Sequence, residues 1–141
     1  MKKCSDVMTK DPVCATPGDG VVDVAKRMQS EDIGPIPIVA DRKDNKLVGI
    51  VTDRDLAMKV VAAGRDPNKV KVADVMTGSV VTCHADDPVE KALAAMSEHQ
   101  LRRIPVVDQN DRILGIIAQA DVATRLNEPE ATGEMVKEIS Q

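Results

Sequence analysis

Thr52 and Asp55 are the residues of this chain whose types and spacing could do chemistry most directly. They follow the apolar run Leu47-Val48-Gly49-Ile50-Val51, where a strand is expected to turn into a helix. A hydroxyl and a carboxylate three residues apart there face the free backbone N–H groups of the first helical turn, and such a junction binds anions. The same spacing also makes a capping box, in which Thr52 caps the helix and Asp55 reaches back to the Thr52 amide without any ligand. The matching place later in the chain keeps the carboxylate as Asp121 but has Ala118 for the hydroxyl. Arg102-Arg103 stands before a second apolar run, Ile104-Pro105-Val106-Val107. Guanidinium groups bind phosphate bidentately and stay charged at any working pH, although such a pair also serves as a solvated charged edge.

Other reactive groups suggest less. Cys4, Cys14 and Cys83 are an odd count without a C-x-x-C pair, the pattern of reduced thiols rather than of a disulfide framework. Cys83-His84 is an adjacent pair of soft ligands, but neighbours on a strand point to opposite faces, so no metal site is expected. His84 and His99 are expected at the surface or at a pocket rim. Neither has a Ser or Cys partner that the sequence places as a nucleophile, and there is no Gly-rich phosphate loop. No catalysis is expected.

The elements that must position these groups come twice. Asp6-Val7-Met8-Thr9 returns as Asp74-Val75-Met76-Thr77, an offset of 68 that also pairs Asp19 with Asp87, Met28 with Met96 and Ile36-Pro37 with Ile104-Pro105. After a two-residue shortening near Asp111 the offset becomes 66, pairing Gly49-Ile50 with Gly115-Ile116 and Asp55 with Asp121. Each copy predicts a short strand (13–16; 80–84), then a helix capped by Asp19 or Asp87 and running to about Asp32 or Gln100. Val21, Val24, Ala25 and Met28, like Val89, Ala92, Leu93 and Met96, recur at helical spacing. A strand with Pro37 or Pro105 at its start follows, then a charged turn, a strand apolar on both faces and a second helix from near Thr52 or Ala118. Cys14 aligns with Thr82 and Cys83 with Ala15, so neither position demands sulfur. The four methionines Met8, Met28, Met76 and Met96 are expected to fill core and helix interfaces.

The fold class is therefore α/β (α+β), two pseudo-symmetric β-α-β-β-α repeats over 5–65 and 73–127, with a linker at 66–72 and an acidic tail at 128–141. One repeat of roughly 60 residues leaves an apolar face open, so two must stack to close a core. The chain has 141 residues, 43% hydrophobic and 30% charged, with no Phe, Tyr or Trp. Without rings no base can be stacked, and a net charge of −4 opposes a duplex-binding surface, so nucleic acid is not expected as a partner. No apolar run approaches the ~18 residues that cross a bilayer. No membrane is therefore expected, and the expected compartment is cytoplasmic.

Three features together resemble a tandem pair of cystathionine-β-synthase (CBS) domains, a Bateman module. They are the D-V-M-T entry, the I-P-h-V strand and the G-h-h-T-x-x-D segment at Gly49–Asp55. The resemblance implies a stand-alone regulatory module that binds adenine nucleotides (AMP, ADP or ATP) or S-adenosylmethionine in a cleft between the repeats and acts on a regulated partner protein. It implies that Asp55 accepts hydrogen bonds from both ribose hydroxyls and that Thr52 meets the phosphate. Two carboxylate oxygens match a vicinal diol. It further implies cross-paired sites, with Thr52, Arg54 and Asp55 facing Arg102, Arg103, Val81, Thr82, His84 and Ile104. The second, weaker cleft would hold Asp121, Val13, Thr16, Gly34, Pro35 and Ile36, without positive charge from these positions. A homodimer, a disc of four repeats, is implied as well. Ala57, Val60, Val61, Ala123 and Leu126 are the expected apolar contacts. The alternative is a dimerisation or interaction module with degenerate clefts.

Overall fold

The apolar stripes and runs of the two repeats fold as their periods dictate in a computed structural model that describes residues 2–126, with side chains to Val122. The tail at 128–141 and the side chains of Ala123 and Leu126 lie outside the described residues. Helix α1 (Cys4–Val7) and strand β1 (Thr9–Lys10) lead into α2 (Val21–Glu31), β2 (Ile36–Val39), β3 (Leu47–Val51) and α3 (Asp53–Leu56). The second half holds β4 (Cys83–His84), α4 (Val89–Glu98), β5 (Arg103–Val107), β6 (Ile113–Ala118) and α5 (Gln119–Leu126).

The helices bury the stripe that their spacing sets: Val21, Val24 and Met28 on α2, Val89, Ala92 and Met96 on α4. Asp32 and Gln100, at φ 53 and 56, stop them in the left-handed conformation. Asp19 and Asp87 do not cap these helices; the caps are Gly20 and Pro88. Each carboxylate instead accepts the N–H three residues before it, Thr16 at 3.0 Å and His84 at 2.9 Å, closing the turn ahead of the helix. The first helical N–H groups find carbonyls elsewhere, Val21 at Val70 and Val89 at Lys2.

The chain divides into two compact units, 13–80 and 1–12 with 81–141. The division differs from the repeat boundaries because each D-V-M-T entry packs on the other repeat. β1 pairs with β6, giving the sheet β1-β6-β5-β4. In the other unit β2 and β3 form the hairpin, Thr77 bridges Ile50, and Ala15 bridges Ile38, so the strand expected over 13–16 shrinks to one bridge. Within the stretch 66–72, expected as a linker, Val70 and Val72 are buried in the core of unit 13–80. Pro37 and Pro105 stand second and third in their strands rather than first. Pro37 is tolerated because its carbonyl, and so its ring nitrogen, faces the side where Ala15 supplies only a single bridge.

Gly49 and Gly115 explain why D-V-M-T recurs. A Cβ on Gly49 would lie 2.9 Å from both Met76 Sδ and the Thr77 carbonyl oxygen. On Gly115 it would lie 2.6 Å from the Thr9 carbonyl oxygen and 2.7 Å from Met8 Sδ. Each entry segment therefore lies flat on a strand glycine. Met8, Met28 and Met96 are buried, and Met76 packs against the core, as filler.

Candidate functional site: two strand-to-helix junctions

The capping box expected at Thr52 is present. Thr52 Oγ1 accepts from the Asp55 N–H at 3.1 Å, and Asp55 Oδ2 accepts from the Thr52 N–H at 2.9 Å. The other oxygen, Oδ1, lies 3.2 Å from Lys59 Nζ, which also donates to the Val75 carbonyl at 2.9 Å. Lys59 sits in a π-helical turn, Ala57–Val61, that continues α3. The Asp55 side chain keeps 16% exposure, so its carboxylate is anchored from behind and open in front. The hairpin brings Gly34 alongside: the Asp53 N–H donates to the Gly34 carbonyl at 3.1 Å, and Ile36 stands opposite Val51.

At the second junction Ala118 offers no hydroxyl. Asp121 Oδ2 accepts from the Ala118 N–H at 3.3 Å and from the Thr9 hydroxyl at 3.2 Å. Thr9 thus ties the first D-V-M-T entry to the carboxylate of the second repeat. Here the hairpin brings the arginines. The Gln119 N–H donates to the Arg102 carbonyl at 3.0 Å, Arg103 stands opposite Ala118 in the ladder, and both arginines are exposed.

Thr52 and Asp55 belong to unit 13–80, Arg102 and Arg103 to the other, and within each unit the residues preceding a repeat's middle strand stand beside that repeat's own junction. The reason is local: consecutive antiparallel strands place the start of one beside the end of the next. Asp121 is therefore the carboxylate with guanidinium groups in its own unit, and Asp55 the one with Gly34 and Pro35. Ile36 and Ile104, expected as pocket walls, are 0% exposed in the two cores.

The remaining candidates divide. Val13 and Val81 are half-buried against the cores of their units, Thr82 is half-buried, and Arg54 is exposed. His84 is exposed and lines a shallow cavity of about 400 Å³ with Asp86, Asp108 and Leu114. Thr16 Oγ1 and N–H both hold Asp19, and Arg42 lies 3.0 Å from that carboxylate. Burial pushes the Asp19 carboxyl up, but the Thr16 bonds and the charges of Arg42 and Arg27 outweigh it and hold it below the usual range. Val60 is 2% exposed and so is core rather than a contact for another chain, whereas Ala57 and Val61 are exposed. Among the described residues no three His, Cys, Asp or Glu side chains gather as metal ligands, and no helix is long and apolar enough to cross a membrane.

Sequence reasoning missed two residues. Lys59 carried a signal, since it stands four residues after Asp55, a spacing that pairs charges on a helix. Thr9 carried none, because its partner is 112 positions away.

The CBS domain family model matches residues 4–62 and 72–128. This chain belongs to the CBS-domain family. Hypoxic response protein 1 of Mycobacterium tuberculosis is 35% identical over 139 residues, spanning 99% of this chain and 94% of that protein. A Bacillus subtilis protein, YlbB, is 38% identical over 141 residues, 100% of this chain and 93% of that one. Among solved structures, Hypoxic Response Protein I with two coordinated zinc ions superposes with a TM-score of 0.78 at 35% identity, over 88% of this chain and 98% of that one. The CBS domain pair of protein MJ0100, in complex with 5-methylthioadenosine and S-adenosyl-L-methionine, gives 0.76 at 32% identity, over 90% and 97%. The tandem CBS repeats and their α+β architecture are thus shared with solved relatives.

Proposed function

We propose that this chain is a regulatory module that binds an adenosyl ligand through the carboxylates of Asp55 and Asp121 and so alters a protein partner. The observation that carries the reading is the Asp55 carboxylate, held in place by the Thr52 N–H and Lys59 yet partly open. A fixed carboxylate of that kind accepts both hydroxyls of a ribose without losing its own support. The relation to the MJ0100 domain pair, which binds two adenosyl compounds, supports the ligand class. The junctions differ in charge. Arg102 and Arg103 beside Asp121 suit a phosphorylated ligand such as AMP, ADP or ATP. The Asp55 junction, with Gly34 and Pro35, has Lys59 as the cation on its carboxylate. Binding shifts the module only as far as the ligand prefers one of its conformations over another.

The test is a thermal-shift screen of adenosine, AMP, ADP, ATP, 5-methylthioadenosine and S-adenosylmethionine. A ligand at ~100 times its dissociation constant adds about 2.7 kcal/mol to stability. No shift with any of the six refutes the reading.

A second reading, a dimerisation module, is favoured by one observation. Met58 and Val61 are 55% and 75% exposed, beside an apolar groove of about 450 Å³ lined by Val21, Ala25, Leu56 and Pro67. Under that reading Val61→Glu converts a dimeric mass in light scattering to a monomeric one. A monomeric parent protein at micromolar concentration removes it.

A further inference from the structure

Cys4 and Cys83 are far apart in sequence, and nothing in their spacing links them. In the structure both lie in the core of the unit formed by 1–12 and 81–141, at 0% and 3% exposure. Cys4 opens α1 in the leading segment, and Cys83 opens β4. The leading segment is bonded along the turn that follows Cys83: the Cys4 N–H donates to the Asp87 carbonyl at 2.9 Å and the Ser5 N–H to the Ala85 carbonyl at 3.0 Å, and Lys3 bridges Pro88. This registry brings the two side chains into one core, where Cys4 Sγ donates to the Pro88 carbonyl at 3.9 Å and Cys83 Sγ to the Pro105 carbonyl at 3.8 Å, each thiol close enough to perturb the other.

We propose that Cys4 and Cys83 are a redox pair, which a two-electron oxidant such as hydrogen peroxide joins in a disulfide that fastens residues 2–12 to the second repeat. The neighbouring Cys83 thiol lowers the Cys4 thiol below its ordinary range, while Cys4 and burial push Cys83 above it. Cys4, on the short leading segment that opens locally, is the attacking sulfur and Cys83, on the strand beneath it, the resolving one. The Cys4 thiolate attacks one peroxide oxygen and the O–O bond breaks. The leaving hydroxide takes up the proton that the Cys4 thiol released on ionising, giving water, and Cys4 becomes a sulfenic acid. The Cys83 sulfur then attacks the Cys4 sulfur, and the sulfenic hydroxyl leaves with the Cys83 proton as water. Two thiols and one peroxide give one disulfide and two waters. Access comes by local opening of the leading segment, whose helix is one turn long and whose strand pairs over two residues. Cys14 sits in the other unit, where burial pushes its thiol up, so it is the internal control.

The test treats the full-length protein with hydrogen peroxide, alkylates the remaining thiols in denaturant and maps the unreduced peptides by mass. The expected result is a fall from three titratable thiols to one, a linked peptide pair containing Cys4 and Cys83, and alkylated Cys14. Cys14→Ser keeps the bridge, and either Cys4→Ser or Cys83→Ser abolishes it. Three thiols surviving excess peroxide, a bridge through Cys14, or a bridge between two chains overturns the proposal. Because the readout is covalent and needs no nucleotide, its failure leaves the adenosyl reading untouched.

Discussion

Substituting Gly115 by alanine tests the role of the D-V-M-T entries. The added Cβ would stand 2.6 Å from the Thr9 carbonyl oxygen and 2.7 Å and 2.9 Å from Met8 Sδ and Cγ. The methionine can swing away, but the carbonyl belongs to β1, so β1 must leave its ladder on β6 or the strand must bend. Overpacking of this kind costs roughly 1–3 kcal/mol, and the loss of a backbone register puts Gly115→Ala near the top of that range, at about 2–3 kcal/mol. Gly49→Ala meets its nearest atoms at 2.9 Å, which predicts a smaller loss of about 1–2 kcal/mol. Gly18→Ala and Gly78→Ala meet nothing within 4 Å and are expected within about 0.5 kcal/mol of the parent. Urea unfolding of the four variants gives the ranking, and hydrogen exchange of the amides at 4–10 shows whether β1 has lifted. Adding Met8→Ala to Gly115→Ala does not restore stability, because the carbonyl remains. A Gly115→Ala protein as stable as the parent, or full recovery in the double variant, refutes the argument.

The two junctions make further predictions. Thr52→Ala removes the cap that Asp55 donates to and costs about 1 kcal/mol, while Ala118→Thr supplies the missing hydroxyl and gains up to about 1 kcal/mol, both read by urea unfolding. Lys59→Met loses a half-exposed ion pair and a bond to the Val75 carbonyl, which after solvent screening comes to about 1 kcal/mol, and hydrogen exchange rises at 75–77. Asp19, held below its unfolded value near 3.8, contributes stability above that pH and loses it as pH falls through its lower folded value. Asp19→Asn therefore flattens the acid limb of a stability–pH profile below about pH 4, and an unchanged limb contradicts the assignment.

Where a pattern is local and repeated, the sequence carries the fold. The stripe Val21, Val24, Met28 and its copy Val89, Ala92, Met96 place α2 and α4, and Thr52-x-x-Asp55 places the capping box. What escaped it is long-range. Nothing near Met8 or Met76 says which repeat it will cover; the close approaches at Gly115 and Gly49 decide that, and they exist only in three dimensions. The neighbours of the arginines within their own unit are set in a related way. Their neighbour in that unit is fixed by the register of β5 on β6, Arg103 opposite Ala118. The capping aspartates went astray because Asp19 and Asp87 have a competing partner in the preceding turn, equally close in sequence.

Isothermal titration of AMP and of adenosine into the parent, Asp55→Asn, Asp121→Asn and Arg103→Ala proteins, each checked for an unchanged fold, tests the central claim most directly. The account predicts that each Asp→Asn change weakens binding of both ligands at its own junction. Arg103→Ala removes a charge-assisted phosphate contact worth roughly 1.5–3 kcal/mol, so AMP loses about tenfold or more while adenosine loses little. A parent protein that binds neither ligand, or AMP binding untouched by all three substitutions, contradicts it.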